Sequence, residues 1–102
     1  MDNVPSFLDR IDAVSALPGV SRHHAAGSLY NELVETDGVD ALTWRALGIE
    51  LGACAQAYPD GFSAHEFLRS RAADCHQRAD LLGQVAARTR QLIPVVRGEV
   101  LP

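Results

Sequence analysis

A chain of 102 residues, 47% of them hydrophobic, is long enough for one domain with a modest core and too apolar to be disordered. Its net charge of −4 disfavours general affinity for nucleic acids, and no apolar run approaches the roughly 18 residues needed to span a bilayer. The N-terminus lacks the positive region of a secretory signal peptide, so we expect a cytoplasmic protein with no membrane partner.

The first two predicted helices are separated by Pro18-Gly19, a pair that breaks a helix. Ser6 is predicted to cap the first helix, and Ser21 is predicted to cap a second one that runs to about Glu35. The predicted inward residues of these two helices are Phe7, Leu8, Ile11, Val14, Leu17, Ala25, Leu29, Leu33 and Val34, with Tyr30 at the margin.

A third predicted helix, from about Asp40 to Tyr58, follows the turn Thr36-Asp37-Gly38. Its large residues form one stripe, which consists of Trp44, Leu47, Leu51, Cys54 and Tyr58. Its small residues form a second stripe, which consists of Ala41, Gly48, Gly52 and Ala55. Because each interior glycine costs a helix roughly 1 kcal/mol relative to alanine, Gly48 and Gly52 predict that another backbone approaches closely there. The third helix should therefore be covered on two sides and lie centrally.

The fourth predicted helix, from Ser63 to Ile93, is the longest element of the chain. Ser63 and Glu66 have the spacing of a capping box, and Pro94 is predicted to end the helix. Its inward stripe alternates spacings of four and three and consists of Leu68, Ala72, Cys75, Ala79, Leu82, Ala86, Thr89 and Ile93. At about 1.5 Å per residue this helix would be roughly 45 Å long, which exceeds the size of a compact domain of this length.

The turn Pro59-Asp60-Gly61 predicts that helices three and four form an antiparallel hairpin. Folding about this turn opposes large side chains to small ones, which fills the interface without voids. The facing sets are Trp44, Leu47 and Leu51 on one helix and Ala72, Cys75 and Ala79 on the other. We therefore predict an all-α fold, a small four-helix bundle whose long C-terminal helix forms an antiparallel hairpin with helix three. Residues 1–93 would form a single domain, followed by an extended tail, 94–102.

The predicted hairpin ends at about residue 81, so the apolar residues beyond it need another partner. The predicted interaction surface consists of Leu82, Val85, Arg88, Leu92 and Ile93. Residues 1–40 contain two arginines against seven acids, whereas residues 63–102 contain six arginines against four acids. This asymmetry favours contacts between copies of the chain. We expect a non-enzymatic protein–protein interaction or regulatory module, such as an adaptor, that binds a protein partner or itself as a homodimer.

A second reading comes from residues 17–25, which read Leu-Pro-Gly-Val-Ser-Arg-His-His-Ala. Residues 11–31 resemble the helix-hairpin-helix motif, in which Pro-Gly-hydrophobic-Gly joins two short helices and a small residue follows. The resemblance implies a phosphate of DNA held by the hairpin amides, with nucleic-acid contacts from Gly19, Ser21, Arg22 and His23. Ser21 stands where that motif has its second glycine, and the surroundings are acidic. The alternative function is therefore a DNA-binding accessory protein.

Sites for metals and for catalysis have little support in the sequence. Helical zinc and di-iron sites use the spacings C-x-x-C, H-x-x-x-H or E-x-x-H, and none occurs. Cys75 and His76 are adjacent on a helix and would point about 100° apart, a poor nucleophile–base pair. Cys54 and Cys75 are expected to be buried thiols too far apart for a disulfide. We expect no catalytic residues, metal or cofactor; a small-molecule or metal carrier is a third hypothesis.

Overall fold

The computed structural model describes the backbone of residues 5–100 and the side chains of residues 5–88. Four helices follow one another: α1 (Phe7–Ser15), α2 (Gly19–Val34), α3 (Ala41–Ala55) and α4 (Ser63–Val100). No strand occurs within residues 5–100. Helices α3 and α4 share the most extensive contact of any pair, which confirms the predicted all-α bundle and its hairpin.

The short helices α1 and α2 begin in different ways. The Ser6 hydroxyl accepts a hydrogen bond from the backbone N–H of Asp9 at 3.1 Å, which is the predicted cap of α1. The predicted cap at Ser21 is wrong, because α2 already begins at Gly19 and Ser21 lies inside its first turn. Gly19 has a φ of +51°, a left-handed conformation that glycine adopts without steric cost, so the chain can start a new helix directly after Pro18.

Helix α3 is the central element, since α1, α2 and α4 all pack on it. The carboxylate of Asp40 caps it by accepting a hydrogen bond from the N–H of Thr43 at 2.9 Å. The buried apolar residues that surround α3 form one core: Ile11, Val14, Ala26, Leu29, Leu33, Trp44, Leu47, Leu51, Cys54, Ala55, Leu68, Ala72, Cys75 and Ala79. The predicted hairpin packing is thus confirmed. Leu8, Leu17 and Val34 are exposed instead of inward; Leu17 lies after the end of α1, and Val34 lies next to the fully buried Leu33 on a different face of α2.

The close approach predicted at the α3 glycines is made by a side chain, and only at one of them. The imidazole ring of His76 lies so near Gly48 that an added Cβ would be 2.9 Å from its Cε1 atom. No atom lies within 4 Å of such a Cβ at Gly52. The prediction that another backbone approaches here is therefore wrong, because α4 places a ring and not its main chain against Gly48.

Helix α4 begins at Ser63 as predicted but extends seven residues beyond the predicted end at Ile93. The N–H of Glu66 donates to the carbonyl of Phe62 at 3.1 Å and not to the Ser63 hydroxyl, so the predicted Ser63–Glu66 capping box does not form. The backbone stays helical through Val100, which corrects the predicted end at Pro94 and the extended tail. An interior proline deletes one helical hydrogen bond but leaves those on either side intact. At about 1.5 Å per residue α4 spans about 57 Å, close to the 61 Å longest dimension of the molecule.

Candidate functional site

The second half of α4 projects beyond the body of the bundle. Ala79 is the last buried position of α4 among the side chains that the structure describes. Leu81 is 54% exposed, Leu82 39% and Val85 61%. The hairpin ends here because α3, the partner helix, starts at Ala41 and has no residues left to cover α4.

The predicted interaction surface lies on this projecting segment. Leu82, Val85 and Arg88 are all exposed. Leu92 and Ile93 lie outside the residues whose side chains are described. Leu81, which the sequence reasoning did not include, extends the exposed apolar surface toward the bundle, because it neighbours Leu82 on the last turn before the helix projects.

A groove of about 390 Å³ adjoins this surface where α4 leaves the bundle. The segment between α2 and α3 forms one wall and α4 forms the other. The lining residues are Val34, Thr36, Asp37, Gly38, Val39, Trp44, Arg78, Leu81 and Leu82. The sequence reasoning missed this groove; the only signal was a valine on each side of the Thr36-Asp37-Gly38 turn. Because Leu81 and Leu82 belong to both, the groove and the projecting face form one continuous surface.

A polar cluster holds the floor of the groove in place. The guanidinium of Arg78 lies 4.8 Å from the centre of the Trp44 ring and donates a hydrogen bond to Asp74 at 2.7 Å. The hydroxyl of Tyr30 donates to the same carboxylate at 2.6 Å. Burial opposes the ionisation of Asp74, but the hydrogen bonds from Tyr30 and Arg78 outweigh it and hold the pKa of that carboxyl below its usual value. The cluster ties α2, α3 and α4 together beside the groove.

The α2–α3 connection, which contributes Asp37 to the groove, is acidic. Glu35, Asp37 and Asp40 lie within seven residues of one another, and all three are exposed. No basic residue lies between Val34 and Asp40, so this stretch has a net charge of −3. The second half of α4, residues 82–100, contains three arginines and one acid and has a net charge of +2. The two parts of the site are therefore opposite in charge.

The residues of the alternative nucleic-acid site do not form a cationic surface. Gly19 and Ser21 are exposed at the start of α2, but the guanidinium of Arg22 makes a two-pronged ion pair with Glu50. Its Nε and Nη2 atoms donate to the two carboxylate oxygens at 2.5 and 2.9 Å. The Nδ1 atom of His23 lies 2.7 Å from the hydroxyl of Tyr58. Arg22, the one cation of the predicted phosphate site, is thus neutralised by a buried carboxylate.

A second cavity, of about 270 Å³, opens at the other end of the bundle. Its lining is mainly apolar and consists of Val20, His23, His24, Tyr58, Ala64, Phe67 and Leu68. Among the described residues, no group of three or more His, Cys, Asp or Glu side chains is arranged to hold a metal ion. This apolar cavity is the feature of the described residues to which the hypothesis of a small-molecule carrier would apply.

Both cysteines are buried and free, as predicted. Burial, with a smaller effect of Glu50, raises the pKa of Cys54 to about 11. Burial also raises the pKa of Cys75 to about 12, with Asp74 adding to the effect. A thiol with such a pKa is protonated at neutral pH, and the thiolate is the reactive form of cysteine. Both thiols are therefore held in the protonated form by their burial.

No family model, curated protein or solved structure matches this chain. None of the helices in the described part of the chain combines the length and the apolar character that crossing a bilayer requires.

Proposed function

We propose that this protein is a small non-enzymatic interaction module that self-associates as a homodimer through the second half of α4. The observation that carries the proposal is the exposure of Leu81, Leu82 and Val85 on a helix that has left its bundle. Removing such side chains from water is favourable by about 25 cal/mol per Å² of apolar area. The full contact surface would consist of Leu82, Val85, Arg88, Leu92 and Ile93. An adaptor or regulatory role in the cytoplasm belongs to the same proposal.

A second copy of the chain is the partner that the charges favour. The projecting segment is positive and the α2–α3 connection is negative, so two copies attract each other where one segment meets the other connection. Homodimers with twofold symmetry are also the commonest soluble oligomers. A different acidic protein is the competing occupant of this surface.

The test is the mass of the full chain by size-exclusion chromatography with light scattering. We expect twice the 11.0 kDa of one chain. Val85→Glu places a charge in the contact and should give the single-chain mass. Ile49→Glu is the matched control, because Ile49 is 63% exposed on α3, similar to the 61% of Val85 on α4. This control should remain dimeric. A wild-type chain that stays monomeric at 100-fold the usual assay concentration would contradict self-association.

We do not propose nucleic-acid binding as a second function. The helix-hairpin-helix resemblance requires backbone amides and a cation at residues 19–23, and the ion pair with Glu50 removes the cation. If the resemblance did extend to function, the chain would bind DNA at low salt and Arg22→Ala would weaken that binding.

A further inference from the structure

The groove at the α2–α3 connection adjoins the start of the projecting segment of α4, so a second copy that pairs with this segment would lie beside the groove. It opens beside Leu82, at the point where the projecting half of α4 begins. From Leu82 to Val100 the helix rises about 27 Å. If two such segments pair antiparallel along this length, the end of each lies beside the start of the other. A twofold axis near residue 91 would therefore bring the last turn of each copy to the groove of its partner.

The opposite charges at the two ends of this contact, and the small residue Gly83 within it, are consistent with this arrangement. Asp37 lines the groove, with Glu35 and Asp40 near it in the chain, and the last turns of α4 carry Arg97. In the antiparallel register, position 97 of one copy lies opposite position 85 of the other, about one turn from Leu82. Gly83, next to Leu82, has open space around it, since no atom lies within 4 Å of an added Cβ. A glycine at this point lets a second helix approach closely.

We propose that the groove between residues 34–39 and α4 receives the C-terminal end of α4 from a second copy, so that the projecting segments pair antiparallel about a twofold axis. This inference rests on the proposed self-association and adds the surface that receives the partner. It makes the contact reciprocal: each chain gives one helix end and one groove. Such an isologous contact closes on itself and stops at two chains.

The reciprocal geometry permits a charge-exchange test with two full-length variants, Asp37→Arg and Arg97→Asp. In either homodimer, like charges would face each other at both symmetric contacts. We expect each variant alone to have a dimer dissociation constant about tenfold or more above that of the wild type, measured at low salt because exposed charges are screened. In an equimolar mixture, the mixed dimer has opposite charges at both contacts. The mixture should therefore recover the wild-type dissociation constant.

Glu66→Arg is the matched control. It makes the same change of charge on an exposed carboxylate in the first turn of α4, about 24 Å along the helix from Leu82, and should leave the dimer unchanged. Circular dichroism of each variant verifies that the helices are retained. If the wild type is a dimer that neither charge reversal weakens, or if the mixture fails to recover, the antiparallel pairing is wrong while self-association stands. A monomeric wild type overturns both proposals.

Discussion

The imidazole ring of His76 occupies the space that Gly48 leaves open on α3. Besides contacting the glycine, the ring accepts a hydrogen bond at Nδ1 from Arg45 at 2.9 Å, and Arg45 also forms an ion pair with Asp80. The ring thus packs against Gly48 and is also hydrogen-bonded to Arg45. A methyl group on residue 48 would have to displace it and break the contact with Arg45.

We predict that Gly48→Ala lowers the free energy of unfolding relative to Gly52→Ala by about 1–3 kcal/mol, the usual cost of overpacking. Gly52→Ala has room and should stabilise the protein by up to about 1 kcal/mol, because alanine favours a helix more than glycine does. Urea unfolding of both variants measures the difference. Adding His76→Ala to Gly48→Ala should remove the penalty, and equal stability of the two single variants would contradict the close contact.

The ion pair of Arg22 and Glu50 is the most buried charge interaction of the described residues. Glu50 is only 6% exposed, and it also accepts a hydrogen bond from the thiol of Cys54 at 3.4 Å. Hydrogen bonding to Glu50 raises the pKa of Arg22 above its usual value. A carboxylate in this position is stable only while its partner is present, since a buried unpaired charge is costly.

We predict that Arg22→Ala destabilises the protein by about 2–4 kcal/mol, less than for a fully buried pair because the Arg22 side chain is 30% exposed. The double variant Arg22→Met with Glu50→Leu should be more stable than Arg22→Ala, because it leaves no buried charge. Arg10→Ala, which breaks the exposed ion pair with Glu32, is the control and should change little. Denaturant unfolding measures the free energy of unfolding of the three variants. An equal loss of stability for Arg22→Ala and Arg10→Ala would contradict the importance of burial.

Sequence reasoning identified most of the core but not these side-chain partners. Helical spacing is enough to place Trp44, Leu47 and Leu51 inward, since the period of a helix fixes which residues share a face. The partners of Arg22 and His76 lie on other helices, and their positions depend on how the helices rotate against each other. Arg22 was accordingly assigned to phosphate binding, and the approach at Gly48 was assigned to a backbone.

The connection of α2 to α4 depends on Tyr30, whose hydroxyl donates to Asp74. Burial and this hydrogen bond raise the pKa of Tyr30 to about 12. An unfolded tyrosine has a pKa of about 10. The folded state therefore gains stability from neutral Tyr30 below about pH 10, and it loses that contribution progressively as the pH rises from about 10 to about 12.

We predict that in a Tyr58→Phe background, where Tyr30 is the one remaining tyrosine, the ultraviolet absorbance of tyrosinate appears with a midpoint near pH 12. Asp74→Asn should lower that midpoint only in part, because it removes the carboxylate that disfavours tyrosinate while burial, the larger cause, remains. Tyr30→Phe should remove the matching alkaline loss of stability, which is up to about 3 kcal/mol. A midpoint near 10 in the Tyr58→Phe background would contradict the buried hydrogen bond.

The boundaries of the helices show where local sequence signals are sufficient. Ser6 caps α1 as predicted, because a cap needs only a short polar group and the next three residues. Ser63 has the same signal at the start of α4 but does not form the predicted capping box, because the N–H of Glu66 donates to the carbonyl of Phe62. The groove beside Leu82 is formed by two distant segments, so no local pattern could predict its shape.

The whole molecule separates its charges: the acids concentrate in α1, α2 and the connection to α3, and the arginines concentrate in α4. The arginines of the projecting segment lie at least about 9 Å along the helix from Leu82, where α4 borders the groove. Within one chain, the projecting segment of α4 therefore gains little electrostatic stabilisation from the acidic region. Pairing with a second chain brings the two regions together, so folding and association should be linked thermodynamically.

We predict that the melting temperature of the full chain rises with protein concentration, because a dimer that dissociates on unfolding is stabilised by mass action. With a melting enthalpy of about 60–80 kcal/mol for each chain, a tenfold increase in concentration should raise Tm by about 3 °C. Val85→Glu should melt at a temperature independent of concentration, whereas Ile49→Glu should keep the wild-type dependence. Differential scanning calorimetry across two decades of concentration measures the Tm of all three proteins. If the Tm of the wild type did not change with concentration, folding would not be linked to association.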